Sequence, residues 1–205
     1  MSLAATLLGM SAILVLSGAA DGLLARTGKT AKQAMAMLVV LFIGSLFPLI
    51  PVGHVRISVG GVILPLAVCA EEMRHGSVRE TAVIVLGALG SALLLMLGSL
   101  IFPGAFEGNV SLSDLMTALC AGMLCALLLR DAWGSCLGSC IAVILFDLFQ
   151  CTAQWLQGQE MILMLGRSSL TDMVVTSGLT GLLAADAAAV LIQAVQRYRT
   201  AGRTR

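Results

Sequence analysis

Aspartates stand in or at the edge of long apolar runs of this sequence, where a charged side chain is costly. A charged side chain at the centre of a bilayer costs roughly 2.5–3.5 kcal/mol on insertion scales, so such residues are candidates for function. Asp147, Asp172 and Asp186 form the candidate intramembrane polar site. A fourth carboxylate, Asp21, follows the first apolar run, and we interpret it as a boundary residue that reaches water.

Two carboxylates held in contact can share a proton and activate water, as in aspartic proteases. Asp147 and Asp172 are expected towards the outer face of the membrane, where they could approach one another. Asp186 lies near the middle of the last apolar run and needs a partner from another helix, or a proton. A proton or cation pathway, an intramembrane aspartyl hydrolase and a structural role remain open. Neither a Tyr-Asp nor a Gly-x-Gly-Asp motif, typical of intramembrane aspartyl proteases, is present.

A short apolar run at positions 57–70 carries the second candidate site. Its length falls below the roughly 20 residues that a helix needs to cross a bilayer. Ser58, Gly60, Gly61 and Pro65 interrupt it, which predicts a short or broken helix inside the bundle. Discontinuous helices at membrane depth often mark binding sites in transporters. A simple tilted helix is the alternative.

Other patterns of catalytic or metal-binding residues are missing from the sequence. No phosphate loop, dinucleotide fingerprint, His-Glu-x-x-His or Gly-x-Ser-x-Gly motif occurs. The six cysteines form no Cys-x-x-Cys pair and mostly lie in apolar runs, where they act as small hydrophobes. We therefore expect no metal, no cofactor and a non-enzymatic role, with the hydrolase kept as the enzymatic alternative.

The elements that position these residues are predicted to be transmembrane helices. The chain is 59% hydrophobic and 11% charged, against roughly 25% charged residues in a soluble domain. Continuous apolar runs favour an all-α helix bundle and make strands improbable, because a membrane barrel alternates apolar and polar residues. Seven spans are predicted, one of them short or broken: 3–20, 34–52, 57–70, 81–102, 112–129, 132–149 and 173–195.

The positive residues predict the orientation of these spans. With the N-terminus outside and the C-terminus cytoplasmic, ten of the 12 Lys and Arg residues face the cytoplasm, including the basic tail at 196–205. Arg56 and Arg167 remain outside. Ser17-Gly18-Ala19 could imitate a signal-peptide cleavage site, but no basic residue precedes the first run, so that run is expected to stay as a helix.

Small residues at helical spacing predict where the helices pack closely. Gly134 and Gly138 are four apart in one run, and Gly178 and Gly181 lie in the last. Small residues let helix backbones approach each other in lipid. We interpret these four glycines as packing residues.

Three segments resemble an uncharacterised family of prokaryotic membrane proteins, domain of unknown function 1614. Residues 57–65 are similar to its Asn-hydrophobic-Gly-Gly-apolar-Pro segment, with Ser58 in the place of Asn. Residues 134–139 resemble a Gly-Thr-Leu-Gly-Thr stretch, although Asp147 lies further on than the family's Asp. Residues 169–172 with Gly178 resemble a Thr-Phe-Asp-Gly motif followed by Thr-Gly. The resemblance covers most of the chain from residue 34 and implies a fold in a prokaryotic plasma membrane, without an activity.

Together these patterns predict a small multi-pass transporter or permease-like protein. An intramembrane hydrolase and a structural or assembly factor are the two alternatives. The lipid bilayer is the expected partner, with a small molecule or an ion as candidate substrate. A homo-oligomer is left open. Nucleic acid is not expected, because the net charge is only +1.

Overall fold

A computed structural model describes residues 3–45, 47, 50–52, 55–101, 110–129, 131–156, 163–165 and 170–203. The described part is mainly helical. Its helices, in chain order, are α1 (Leu3–Leu16), α2 (Asp21–Thr27), α3 (Ala31–Ser45), a π-helical turn (Val59–Ile63), α4 (Leu64–His75), α5 (Val78–Ile101), α6 (Val110–Leu129), α7 (Ala132–Leu156) and α8 (Leu170–Arg203). Its strands are β1 (Ile50–Val52), β2 (Val55–Ile57) and β3 (Leu163–Leu165).

The prediction of apolar helices that can cross a membrane is confirmed for the longest helices. Within the described residues, three helical segments are long and apolar enough to cross a membrane: Val78–Ile101, Ala132–Ala153 and Met173–Gln196. A fourth is obtained if α1 and α2 count as one bent span. Ala31–Gly44 and Ser113–Leu129 are apolar but shorter. Seven crossings and the orientation of the termini stay predictions.

The first predicted span, 3–20, is not one straight helix. α1 ends at Leu16, and α2 begins at Asp21 after a bend of 93°. Gly18 lies in this bend with φ of 73°, a left-handed conformation that glycine adopts without the steric penalty of a Cβ atom. The hydrophobicity of the run extends through the turn, so it does not reveal the bend.

The described strands are confined to two short connections between the helices. β1 pairs with β2 in antiparallel fashion, and β2 pairs with β3 in parallel fashion. Each strand has only three residues. β1 occupies the predicted continuation of the second span to residue 52. Pro48 and Pro51 explain why the helix does not continue to residue 52, because proline removes a backbone donor and disfavours helix in the residue before it.

Helix starts follow local capping chemistry. The backbone N–H of Thr30 donates to Gln33 Oε1 at 3.1 Å, and the N–H of Gln33 donates to Thr30 Oγ1 at 3.3 Å, which closes a capping box ahead of α3. Ser77 and Glu80 form the same reciprocal pair at the start of α5. These caps fix where each helix begins, and so they set the position of the side chains between them.

Helices α5 to α8 pack around a core of small and medium side chains. One buried cluster joins α5, α6, α7 and α8 through residues such as Leu95, Ala121, Val143 and Val174. Buried hydroxyls add bonds between helices: Ser139 Oγ donates to the Ser177 carbonyl at 3.0 Å. Such contacts hold helices together in lipid, where apolar surface alone gives no preference for helix over hydrocarbon.

Large apolar side chains point away from this core. On α5 the exposed stripe includes Leu86, Leu93, Leu97 and Leu100, with 53–69% of each residue exposed. The opposite side of α5 is buried and carries small residues such as Ala88 and Ser91. A soluble protein rarely exposes so continuous an apolar surface, whereas hydrocarbon solvates it.

The last helix extends beyond the predicted span of 173–195. α8 runs from Leu170 to Arg203, so most of the basic tail continues as helix. α7 likewise runs to Leu156, beyond the predicted end at 149. A hydrophobic run marks the stretch that can enter lipid, but the backbone bonds of a helix continue past it into polar sequence.

Candidate functional site

Ionisable side chains from distant parts of the sequence meet at one end of the helix bundle, which we call the ion-pair end. It comprises the α2–α3 connection, the C-terminal end of α4, the N-terminal ends of α5 and α7, and Asp186 of α8. The other end, called the sheet end, carries β1, β2 and β3. The ion-pair end carries ionisable side chains, whereas the sheet end carries three short strands.

Glu72 is the centre of the ion-pair end. Its Oε2 atom pairs with the ammonium of Lys29 and accepts a hydrogen bond from Trp133 Nε1 at 3.1 Å. The Lys29 ammonium also lies 5.1 Å from the centroid of the Trp133 ring, within range of a cation–π interaction. The side chains of Lys29 and Glu72 are only 18% and 15% exposed. An ammonium is therefore held between a carboxylate and an aromatic face.

A cavity of about 840 Å³ adjoins this triad. Ionisable side chains line it on several sides, including His75, Arg79, Glu80 and Asp131. Its lining also includes the apolar side chains of Ile84, Leu129 and Leu137. Asp131 accepts a hydrogen bond from the backbone N–H of Gly134 at 2.7 Å and so caps α7 beside the cavity. The cavity can therefore offer both charge and an apolar surface to a ligand.

Asp186 has a partner from another helix, which is one of the arrangements that its place in an apolar run allowed. Its Oδ1 atom lies 2.8 Å from Nη1 of Arg26 on α2. The Asp186 side chain is 23% exposed and the Arg26 side chain 52%. This pair and the Lys29–Glu72 pair both connect the α2 region to the rest of the bundle.

Asp147 and Asp172 lie towards the sheet end, away from Asp186. α7 and α8 are antiparallel, because Ser139 contacts Ser177 and the backbone of Ser135 approaches Gly181. This register places the backbones of Asp147 and Asp172 within about one helical turn of the same level. The side chain of Asp172 lies outside the described residues, so the structure gives no distance between the two carboxylates.

The distance between Asp172 and Asp186 separates the three predicted carboxylates into two groups. Both lie on α8, and fourteen residues correspond to about 21 Å along the helix axis. Groups that share a proton must be in contact. Asp186 therefore cannot pair with either of the other two, and only Asp147 with Asp172 remains as a candidate carboxylate pair.

The broken segment at 57–70 is a capped π-helical turn continued by α4. Ser58 Oγ accepts a hydrogen bond from the Gly61 N–H at 3.0 Å. Ser58, Gly60, Gly61 and Pro65 are all buried, as predicted for a segment inside the bundle. The segment leaves β2 at the sheet end and reaches Glu72 at the ion-pair end, so it connects the two ends.

The four predicted packing glycines stand where neighbouring atoms leave little room for a side chain. A Cβ atom on Gly181 would lie 2.7 Å from the Ser135 carbonyl oxygen, and one on Gly178 would lie 2.9 Å from Cys140 Sγ. On Gly138 it would lie 2.6 Å from Leu129 Cδ1, and on Gly134 it would lie 3.0 Å from Asp131 Oδ2. Gly122 is a further packing glycine that was not predicted, since a Cβ atom there would lie 2.8 Å from the Gly181 backbone nitrogen.

Several polar residues of interest were not singled out from the sequence. Glu72 lies in a charged segment between two apolar runs, and no local signal in the sequence shows that its side chain is only 15% exposed. Asp114 was detectable, because it lies inside the predicted span 112–129. Its Oδ2 atom is buried and has no hydrogen-bond partner among the described residues, as is also true of Thr176 Oγ1.

No group of three or more His, Cys, Asp or Glu side chains is arranged to hold a metal ion within the described ranges. Comparison of the chain with protein families, curated proteins and solved structures gives no match. The functional assignment therefore depends on the geometry of the two ends.

Proposed function

We propose that this chain is a small multi-pass transporter or permease-like protein of a prokaryotic plasma membrane. The observation that carries the proposal is the cavity of about 840 Å³ at the ion-pair end, with both signs of charge in its lining. A helical membrane protein that only packs against its neighbours needs no such cavity. Charged groups at the end of a bundle, beside small-residue helix contacts, are suited to receive a polar solute or an ion.

The broken segment supports the same proposal. It places a π-helical turn and two buried glycines among α3, α4 and α8, where irregular backbone is shielded from lipid. π-Helical turns are rare and frequently occur at functional sites. Transporters commonly place discontinuous helices beside their substrates.

The two ion pairs supply an element that could open and close. Arg26–Asp186 and Lys29–Glu72 both attach the α2 region to the other helices, and α2 has no buried residue of its own. Breaking these pairs would release the α2 region without disturbing the core formed by α5 to α8. A segment that is held mainly by ion pairs is a candidate gate.

Purified protein in liposomes that contain a pH indicator tests the proposal. We expect candidate amines, amino acids or cations to drive a proton flux that empty liposomes lack. Asp186→Asn, Asp172→Asn and Glu72→Gln should each reduce this flux at least tenfold. Asp21→Asn is the matched control, since Asp21 is an exposed carboxylate at the start of α2 and its replacement should have no effect. Flux that is unchanged in all three variants would remove these carboxylates from any pathway.

The shared level of Asp147 and Asp172 keeps the hydrolase as a second candidate. Two carboxylates in contact could activate water for peptide cleavage. This alternative predicts that Asp147→Asn and Asp172→Asn each abolish cleavage of a fluorogenic transmembrane peptide, while Asp186→Asn retains it. Loss of cleavage in the Asp186 variant alone would contradict the carboxylate pair.

A further inference from the structure

We infer that Glu72 and Trp133 form a binding site for an organic ammonium group, and that Lys29 of the chain itself occupies this site. The inference deepens the proposed transport function by naming the class of substrate. It starts from the chemistry of the contact that Lys29 makes.

Three features of an ammonium site are present at once. The Glu72 carboxylate supplies the opposite charge, and the Trp133 ring faces the same ammonium at 5.1 Å from its centroid. The indole N–H donates to Glu72 Oε2 at 3.1 Å, which fixes the carboxylate relative to the ring. Aromatic faces combined with carboxylates are a common means of recognising organic cations.

The surroundings of Lys29 differ from those of an ordinary surface ion pair. Less than a fifth of each charged side chain is exposed, so the pair is partly withdrawn from water. Lys29 belongs to the short connection between α2 and α3, which contributes no residue to the buried core clusters. Glu72 and Trp133 lie on α4 and α7. Lys29 is therefore the member of the triad that a ligand would replace, and the two residues on helices form the receptor.

The adjoining cavity can accept the remainder of such a ligand. Lys29, Glu72 and Trp133 all line it. Its ionisable lining includes three carboxylates, Glu72, Glu80 and Asp131, against the two permanent cations Lys29 and Arg79. If the Lys29 ammonium leaves, the excess of carboxylates grows and favours a replacement cation. The apolar wall at Ile84, Leu129 and Leu137 would contact a short alkyl chain. The ligand predicted by this chemistry is a primary ammonium with a small apolar tail.

Trp133 can report directly on the occupancy of the site. The chain contains two tryptophans, so Trp155→Phe leaves Trp133 as the single tryptophan, which is excited selectively over Tyr198 at long wavelength. Protein in this background is titrated in detergent with butylammonium chloride, and sodium chloride at equal ionic strength is the reference. The variants are Lys29→Ala, Lys29→Ala with Glu72→Gln, and Lys32→Ala. The last is the matched control, because Lys32 is an exposed lysine of the same region that does not line the cavity.

We expect a saturable change in Trp133 fluorescence in the Lys29→Ala protein, at concentrations at least tenfold below any response of the parent. Lys32→Ala should behave as the parent, and the added Glu72→Gln change should abolish the response. The absence of a saturable response in Lys29→Ala, or an equal response after Glu72→Gln, would overturn the inference. Lys29→Met, which keeps the apolar stem, replaces Lys29→Ala if the latter is not monodisperse.

An ammonium group could also come from a lipid headgroup. Nanodiscs of phosphatidylglycerol, with and without phosphatidylethanolamine, separate the two sources. A response to butylammonium in phosphatidylglycerol alone identifies a free amine, whereas a response to phosphatidylethanolamine without added amine identifies a lipid. Binding in detergent requires no transport, so binding without flux would retain this site and reject the transport proposal.

Discussion

At the scale of single residues, Glu72 connects three elements of the fold through one carboxylate. Lys29 comes from the α2–α3 connection, and Trp133 comes from the first turn of α7. A partly buried charge that loses its partner is left desolvated and uncompensated. The stability of this end should therefore depend on both members of the ion pair together.

A double-mutant cycle measures that dependence. We expect Lys29→Met or Glu72→Gln to lower the free energy of unfolding by about 1–3 kcal/mol, and the double variant to lose less than the sum of the two. Unfolding in mixed micelles with increasing dodecyl sulfate provides the measurement. The exposed pair Arg74–Glu71, at 4.0 Å, is the control, and its cycle should give a coupling of about 0–0.5 kcal/mol. Additive losses at Lys29 and Glu72 would contradict the described contact.

The sequence could identify individual residues only where the free-energy cost of a residue depends on its neighbours along the chain. A carboxylate inside an apolar run is visible without a structure, and this reasoning led to Asp186 and to its need for a partner on another helix. The identity of that partner, Arg26, depends on a contact between residues 160 positions apart. Glu72 was missed for the same reason, because its burial results from the α2–α3 connection and α7 lying over it.

At the scale of elements, the π-helical turn begins at a residue whose side chain replaces a missing backbone partner. Ser58 Oγ accepts from the Gly61 N–H inside the bundle, where water cannot take its place. The sequence predicted a short or broken helix here, since glycine and proline interrupt an apolar run. It could not specify a π-turn, which depends on how closely α3 and α8 enclose the segment.

Ser58→Ala tests this cap. Loss of the bond to the Gly61 N–H should lower the free energy of unfolding by about 1–2 kcal/mol, because the site is buried. Thr152→Ala is a control, because its hydroxyl bonds to the Leu148 carbonyl on an exposed part of α7. Its effect in the same dodecyl sulfate titration should stay within about 0.5 kcal/mol. Equal effects of the two changes would show that Ser58 does not cap the turn.

Two glycines let α8 approach its neighbours closely: Gly122 of α6 faces α8, and Gly181 of α8 faces α7. A Cβ atom on Gly122 would meet backbone atoms of Ser177 and Gly181, and backbone cannot rotate away as a side chain can. Spacing within one helix predicted Gly181. Gly122 carries the same signal, because Ala118 and Ala126 lie four positions away on either side, but it was not singled out. The pairing of helices is a property of the fold.

Gly122→Ala and Gly181→Ala should each destabilise the protein by about 1–3 kcal/mol through overpacking. Gly98→Ala is the matched control on α5, where nothing lies within 4 Å of the added atom. There the gain in helix propensity should stabilise the protein by about 0.5–1 kcal/mol. Thermal unfolding in detergent, followed by circular dichroism, distinguishes the two signs. A stabilised Gly122 variant would contradict the close approach of α6 and α8.

At the scale of the whole molecule, the two ends of the bundle agree with the predicted distribution of positive charge. Three basic residues belong to elements that meet at the ion-pair end: Arg26, Lys29 and Arg79. The predicted orientation of the spans assigns them to the cytoplasm. Arg56 belongs to β2 at the sheet end, which the predicted orientation of the spans assigns to the outside. The prediction assigned segments to faces by alternating crossings and chose the orientation by charge. Segments that it assigns to the same face contact one another in the fold.

Reporter fusions test which face each end occupies. Fusions of alkaline phosphatase, active only outside the cytoplasm, should be inactive after positions 29, 76, 131 and 203 and active after position 54. The physical reason is that moving Lys and Arg across the membrane is costly, so the side that holds most of them remains cytoplasmic. A green fluorescent protein series, fluorescent only inside, provides the reciprocal control. Activity after position 29 but not after position 203 would place the α2–α3 connection and the C-terminus on different faces, and the ion-pair end could then not be a single surface.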